Sequence, residues 1–311
     1  MHLDKTIGNR RNSLVVLELP FNAGLKEPLP GHEPGVNKLP DHLKKYGFHG
    51  ALQPVEVQRL PAPPYTSIMD AKSGVRNVPT IISYAIQQAE LLQTILNRHQ
   101  FPLLLGGDCS ILIGTALALN KLGRYGLFYL DGHTDYMSAS LSQSGGAAGM
   151  DLAIVTGYGH PSLTNIGQQQ PYFQPSHVWC VGNREYEQAY VNEILQSAIQ
   201  YTDLAGLRKN GSNACTNSFL QMIEQEKLDG FWIHIDVDVL DDAIMPAVDS
   251  RTPDGLSYAA FKEILRPLLA SNKLTGLQIT ILDPDLDPDG LYTKEFITNF
   301  CEIVTASWRY E

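Results

Sequence analysis

Short apolar runs alternate with longer stretches of helical periodicity along most of this chain. Residues 13–19, 102–105, 127–130, 178–181, 231–235 and 277–282 are short and apolar on both faces. Such runs predict strands of a parallel sheet with helices covering either side. Apolar positions at 81, 82, 85, 89, 92, 95 and 96 recur at helical spacing and predict a helix over 78–99. His99 near its end suits the helix dipole. Helices are predicted likewise over 111–122, 187–200, 217–227, 258–269 and 294–309. The stretch 20–64 is rich in Pro, Gly and charge and predicts long loops around short elements. Strand alternates with helix, with no repeat, low-complexity tract or linker. The expected architecture is α/β, a three-layer α/β/α arrangement with a mostly parallel sheet, in a single domain over 1–311.

The chain has 311 residues, 43% hydrophobic and 18% charged, which is ample for a large core. A net charge of -10 leaves no basic stripe to meet phosphates, which argues against nucleic acid as a partner. Cys109, Cys180, Cys215 and Cys301 have no paired spacing, so neither a disulfide framework nor a CxxC zinc site is suggested. Met1–Lys5 shows no basic region leading into a long apolar one, and no apolar run approaches the roughly 20 residues that span a bilayer. The expectation is a soluble, cytoplasmic protein with a small-molecule substrate and no membrane partner.

Two short acidic runs change the picture. Asp131, His133 and Asp135 follow the apolar run at 126–130, and Asp236 and Asp238 follow the run at 231–235. Residues two apart on a strand share a face, so each set converges if the strand end stays extended. Four carboxylates and an imidazole at one point repel each other unless a cation neutralises them. Oxygen-rich ligation with some nitrogen suits Mn²⁺ or a similar divalent ion. A third run, Gly106-Gly107-Asp108-Cys109-Ser110, also follows a predicted strand. Ligands of open α/β sheets sit outside the carboxyl ends of strands, and all three runs lie at such ends.

In order and spacing, from about Leu103 to Pro284, these runs resemble the ureohydrolase family of arginase, agmatinase and relatives. The family pattern Gly-Gly-Asp-His-Ser reads Gly-Gly-Asp-Cys-Ser here. Asp-Ala-His-x-Asp reads Asp-Gly-His-Thr-Asp, and Ser-x-Asp-x-Asp-x-x-Asp-Pro reads His234-Ile-Asp-Val-Asp-Val-Leu-Asp-Asp. Gly255-Leu256-Ser257-Tyr258 matches a further Gly-Leu-Thr-Tyr-like segment. The resemblance implies an arginase-like fold holding two Mn²⁺ ions per chain. Asp131 and Asp236 would bridge both metals. Asp135 and Cys109 would complete one, and His133 and Asp238 the other. A hydroxide bridging the metals would attack a guanidinium carbon, breaking a linear C–N bond. Asp241 would support a ligand or the loop. The family commonly forms trimers or hexamers, so a homo-oligomer is expected.

The departures bear on substrate and metal. Cys109 replaces a His ligand, and a soft thiolate shifts preference toward Zn²⁺ or Fe²⁺, or leaves one metal site weak. Hydroxyguanidine hydrolases related to arginase carry Cys there. Alignment on Gly149-Met150 puts Ala148 at the family's proton-shuttle His; the nearest alternative, His160, suits a surface position better. Alignment on Pro284 puts Ile281 at the Glu that grips the guanidinium. The acids at 283, 285, 287 and 289 more often mark a solvated loop or capping turn. Arg251 is a candidate clamp for a substrate carboxylate, or an ordinary surface Arg. Glu187 is the candidate for a substrate amino group. His234 shares a face with Asp236 and is a candidate for proton transfer or ligand support, alongside Asp135; a satisfied buried histidine fits equally. The leading reading is a metal-dependent hydrolase of a guanidino or amidine substrate. Alternatives are a hydrolase of a modified guanidine such as N-hydroxyarginine, or a non-catalytic metal-binding relative in which Cys109 senses oxidation.

Overall fold

The computed structural model describes Arg10 and residues 12–308; the readings at Met1–Lys5 and at the helix end Arg309 lie outside the described residues. Among the described residues, eight strands form one sheet with every pairing parallel. In chain order they are β1 (Leu14–Leu19), β2 (Glu56–Arg59), β3 (Phe101–Gly106), β4 (Tyr125–Leu130), β5 (Val178–Val181), β6 (Gln200–Thr202), β7 (Gly230–Asp236) and β8 (Leu274–Thr280). Across the sheet the order is β2-β1-β3-β8-β7-β4-β5-β6.

Strand alternation splits the core into two halves. Leu14 and Val16 of β1 face a core with Leu39 and Leu43 of α1 (Leu39–Lys45) and Phe48 of α2 (Phe48–Leu52). Val15, Leu17 and Leu19 face the other half. It is filled by Ile81 and Leu92 of α3 (Val78–Asn97), Leu112 of α4 (Ile111–Leu122), Leu152 of α5 (Asp151–Val155), Leu163 of α6 (Pro161–Thr164) and Ile194 of α7 (Gln188–Leu195). The first half is completed by Leu207 of α8 (Leu204–Asn210), Phe219 of α9 (Ser212–Gln225), Phe261 of α10 (Tyr258–Ala270) and Phe296 of α11 (Leu291–Ser307). Both faces are dry, which is why the central strands are apolar without alternation. The three-layer α/β/α expectation holds.

The differences from the sequence reading have local causes. Strand β2 is half-exposed at the sheet edge with the sequence Glu-Val-Gln-Arg, and β6 is Gln-Tyr-Thr at the other edge. Edge strands need no apolar run, so an apolar-run criterion misses both. The helix predicted over 187–200 stops at Leu195, and Gln200 already begins β6. His99 lies beyond the end of α3 with φ 58°, not within its last turn. Helix α9 starts at Ser212, five residues before the predicted 217, because Gly211 at φ 87° separates it from α8. Strand β8 ends at Thr280 rather than 282, where Ile281 turns to φ 74°. The acids at 283 and 287 are capping turns: Asp283 accepts from the Asp285 amide at 2.9 Å, and Asp287 from the Thr293 amide at 2.8 Å. Among the described residues no helix is long and apolar enough to cross a membrane.

One glycine fixes how β3 leaves the sheet. A β-carbon on Gly107 would lie 1.6 Å from the Phe21 carbonyl oxygen, which already accepts from the Asp108 amide at 2.9 Å. The backbones cross too closely for any side chain. Gly107→Ala is expected to cost at least ~3 kcal/mol, as severe backbone clashes do. Urea denaturation measures it, and an unchanged midpoint would contradict the crossing.

Candidate metal centre

The carboxyl ends of β3, β8, β7 and β4 lie side by side at the middle of the sheet. All three runs singled out in the sequence leave the sheet there. Cys109 sits in the turn between β3 and α4, Asp131 directly after β4, and Asp236 at the last position of β7.

Convergence does not come from extended strand ends, as the spacing had suggested. Strand β4 stops at Leu130, and Asp135 adopts φ 43°, so residues 131–135 form a bend. Beyond Asp236 the chain makes a 3₁₀ turn over Val237–Val239, in which the Asp236 carboxylate accepts from the Asp238 amide at 2.8 Å. These turns let several acids share one point, which a flat strand would spread along its length.

Asp131, Asp236 and Asp238 are buried, and their partners are few. Asp131 Oδ1 accepts from the His133 amide at 2.6 Å, whereas Oδ2 has no partner. Asp236 Oδ2 accepts from Cys109 Sγ at 2.9 Å. Asp238 Oδ1 accepts from the Gly132 amide at 2.9 Å, and Oδ2 lies 2.8 Å from His133 Nδ1. His133 Nε2 meets Thr252 Oγ1 at 3.2 Å. Ligand atoms of Cys109, Asp131, His234 and Asp236 lie within 4.8 Å of one another, and so do those of Asp131, His133 and Asp238. Asp131 belongs to both groups, the position a residue shared by two ions must occupy.

The donor set fits a pair of divalent cations. Burial raises the carboxyl groups of Asp131, Asp135 and Asp236 well above the usual carboxylate range, and neighbouring carboxylates raise them further. Burial and Asp236 likewise push up the Cys109 thiol. Burial alone would lower His133 and raise Asp238, but their mutual attraction wins, raising His133 and lowering Asp238. The unpartnered oxygen of Asp131 and the crowded acids are what a bound cation would satisfy.

Asp135 borders the same cavity but stands apart from both groups; its Oδ2 accepts from Tyr129 Oη at 3.1 Å. The same hydroxyl lies 2.8 Å from Asp151 Oδ1, so its single hydrogen is shared between the two carboxyl groups. Asp151 is fully buried and was missed in the sequence, although it directly follows Gly149-Met150. Tyr129 shared a strand face with Asp131, which was the available signal. Arg184 was also missed. It is a staple whose Nη2 donates to Asp238 O at 2.8 Å and Thr252 O at 2.9 Å, pinning the turn behind the ligands. Asp241 supports its own loop by accepting from the Ala243 amide at 2.8 Å.

A cavity of about 320 Å³ opens over the ligands. Cys109, His133, Asp135, Asp236 and Asp238 line it, with the apolar Leu25, Met137, Ala148 and Ile281 and the more exposed Glu185, Glu187 and Tyr190. Among the described residues lining it, His133 is the only side chain able to carry positive charge. Arg251 does not reach this cavity. Its guanidinium holds Asp242 through 2.7 and 2.8 Å bonds and borders a neighbouring surface cleft, because the carboxylate next door offers it a bidentate partner. His160 caps α6 through its Nδ1 and stays outside the cavity.

Comparison with known proteins finds relatives over most of the chain. A model of the arginase family matches residues 12–305. The arginase of Bacillus caldovelox is 30% identical over 216 residues, covering 69% of this chain and 72% of that protein. The arginase of Staphylococcus aureus strain COL is 24% identical over 272 residues, covering 85% and 89%. The native structure of Bacillus caldovelox arginase at pH 5.6 has a TM-score of 0.83 at 25% identity, covering 94% of this chain and 97% of that one.

The raised carboxyl groups give the centre a pH signature. A group whose folded value is raised stabilises the fold fully below its unfolded value, and that contribution is lost as pH rises through the folded value. Asp131, Asp135, Asp236 and His133 all act in this sense, with Asp238 opposing. Metal must displace these protons. The metal-free protein is therefore expected to melt lower at about pH 8 than at about pH 6. Added Mn²⁺ or Zn²⁺ is expected to raise Tm more at the higher pH and to release protons in calorimetry. A metal-induced shift independent of pH would contradict the assignment.

Proposed function

Because the chain belongs to the arginase family, we propose that it hydrolyses a C–N bond of a small cationic guanidino or amidino compound at this centre. It is a hydrolytic enzyme of the ureohydrolase type, and the family depends on two metals. The observation that carries the substrate class is the cavity: beyond the candidate metal ligands, Glu185, Glu187 and Asp249 line it, and among the described lining residues no Lys or Arg repels a guanidinium. We read the chain as one domain over 1–311, since one sheet supplies every candidate ligand.

Paired divalent cations, when bound, lower the pKa of water and stabilise negative charge as the guanidinium carbon becomes tetrahedral. Around them the protein's residues have separable tasks. Asp131, Asp236, Asp238, His133 and Cys109 would hold the ions, with Asp135 joining them by turning from Tyr129. Arg184 and Thr252 fix the His133–Asp238 arm from behind. Leu25, Met137, Ile281 and Tyr190 offer apolar surface to a linear chain, and Glu187 meets a distal amine.

Manganese is the family's metal, and Cys109 favours a softer ion such as Zn²⁺ or Fe²⁺ in one position. Cys109→His is expected to shift preference toward Mn²⁺, read as the ratio of Mn²⁺ to Zn²⁺ retained in competition; an unchanged ratio would remove position 109 from the ligand set. A second reading, a modified guanidine such as an N-hydroxyguanidine, is favoured by Ile281. It lines the cavity at the position of the family's guanidinium-gripping Glu, where an apolar group cannot hold a charged NH₂.

The test is release of urea or hydroxyurea by metal-loaded protein from guanidino and N-hydroxyguanidino compounds of graded chain length. Turnover with at least one cationic member is expected. Glu187→Gln is expected to raise KM about three- to fivefold for substrates carrying a distal amine while leaving kcat unchanged, the range for an exposed ion pair. No turnover of any member with Mn²⁺, Zn²⁺, Fe²⁺ or Co²⁺ would overturn the proposal.

A further inference from the structure

His234 lies in one row across the sheet, paired in register with Tyr129 on one side and Gln278 on the other. It is fully buried and stacked on Tyr129, with ring centroids 4.4 Å apart and planes 4° from parallel. The neighbours fix where its proton sits. Trp232 Nε1 can only donate, and it donates to Gln278 Oε1 at 3.1 Å. Thr115 Oγ1 donates to the same oxygen at 2.9 Å and accepts from Gln88 Nε2 at 3.1 Å. Gln88 is itself oriented by the Ile111 carbonyl, which accepts from its amide at 2.8 Å.

With Oε1 committed twice, the amide nitrogen of Gln278 is the atom facing His234 Nδ1, at 2.8 Å. An amide NH₂ can only donate, so Nδ1 accepts and the ring hydrogen is on Nε2. Rotating Gln278 by half a turn would set its NH₂ against the Trp232 N–H. Gln88, Thr115, Trp232, His234 and Gln278 are all fully buried, so bulk water does not relieve such a clash. Nε2 has no partner and points into the group of Cys109, Asp131 and Asp236, 4.0 Å from the equally unpartnered Asp131 Oδ2.

A neutral imidazole binds a metal through its bare nitrogen and carries its proton on the other. Here the bare nitrogen is turned away from the centre. We propose that His234, despite standing among the ligand groups, is a positioning residue: a fixed N–H donor to Asp131, locked in that tautomer by the Gln278 relay, and not a metal ligand. The inference rests on the metal-centre reading above and deepens it. The first metal then draws its protein donors from Cys109 and carboxylates, and His133 is the only imidazole ligand among the described residues. The gap exceeds hydrogen-bond length by about 1 Å, which a shift of the Asp131 carboxyl group toward His234 would have to close. Asp131 would then be held at both oxygens, by the His133 amide and by His234.

The tautomer is read by ¹⁵N–¹H correlation of the imidazoles in labelled protein, with His234 assigned through His234→Gln. The spectra are recorded metal-free and after loading with ¹¹³Cd²⁺. The expected result is a protonated Nε2 and bare Nδ1 in both states. A ¹¹³Cd coupling should appear at a His133 nitrogen and at none of His234. A protonated Nδ1, or a ¹¹³Cd coupling to His234 Nε2, would overturn the proposal. Gln278→Glu places a carboxylate where the amide was, so Nδ1 should become the donor and Nε2 should gain a ¹¹³Cd coupling. An unchanged tautomer in that variant would show that the relay does not set it. If cadmium binds nowhere, the metal reading fails by itself, while the metal-free tautomer still decides His234.

Discussion

Repulsion among buried carboxylates is the constraint on which this molecule is built. Asp131, Asp236 and Asp238 meet at the middle of the sheet with Asp135 beside them, and the described residues return only the His133 imidazole, the Cys109 thiol and the backbone amides of Gly132, His133 and Asp238. Such a centre is tolerable only with protons or cations in place, and at neutral pH cations are the better neutraliser. The surroundings serve that point. Gly107 lets two backbones cross behind Cys109, and Arg184 staples the Asp238 turn. Ile281, a β-branched residue at φ 74°, ends β8 against the Gly107 carbonyl. A left-handed backbone at such a residue is strained, and strain of this kind gathers at functional sites.

Much of this was legible in the sequence because the central strands are buried on both faces and the ligand residues follow them directly. The runs ending in Asp131 and Asp236 carried both the fold class and the centre. The edge strands β2 and β6 carried neither, since half-exposed Glu-Val-Gln-Arg and Gln-Tyr-Thr look like loop. Spacing placed the acids together for an incomplete reason: it assumed extended ends where the chain turns at Asp135 and after Asp236. Arg251 resolves to the ordinary surface reading because a guanidinium's partner depends on which carboxylate the loop brings near, and here that is Asp242.

Other contributors had little readable signal. Asp151, Thr252 and Gln278 act through contacts between residues distant in the chain, with Gln278 lying 44 residues from His234 and 163 from Thr115. Sequence pattern reports periodicity and neighbours along the chain, not the direction of a hydrogen bond. His234 shows the consequence. Its place on the face of Asp236 was predictable, whereas its role depends on which atom of Gln278 faces it.

The central claim is that the buried acids form a two-cation centre. Metal content per chain by inductively coupled plasma mass spectrometry tests it most directly, on protein loaded with Mn²⁺ or Zn²⁺ and freed of excess ion. Two ions per chain are predicted, falling in Asp131→Asn because that residue belongs to both ligand groups. One ion or none in the unsubstituted chain, or two ions in Asp131→Asn, would contradict the account.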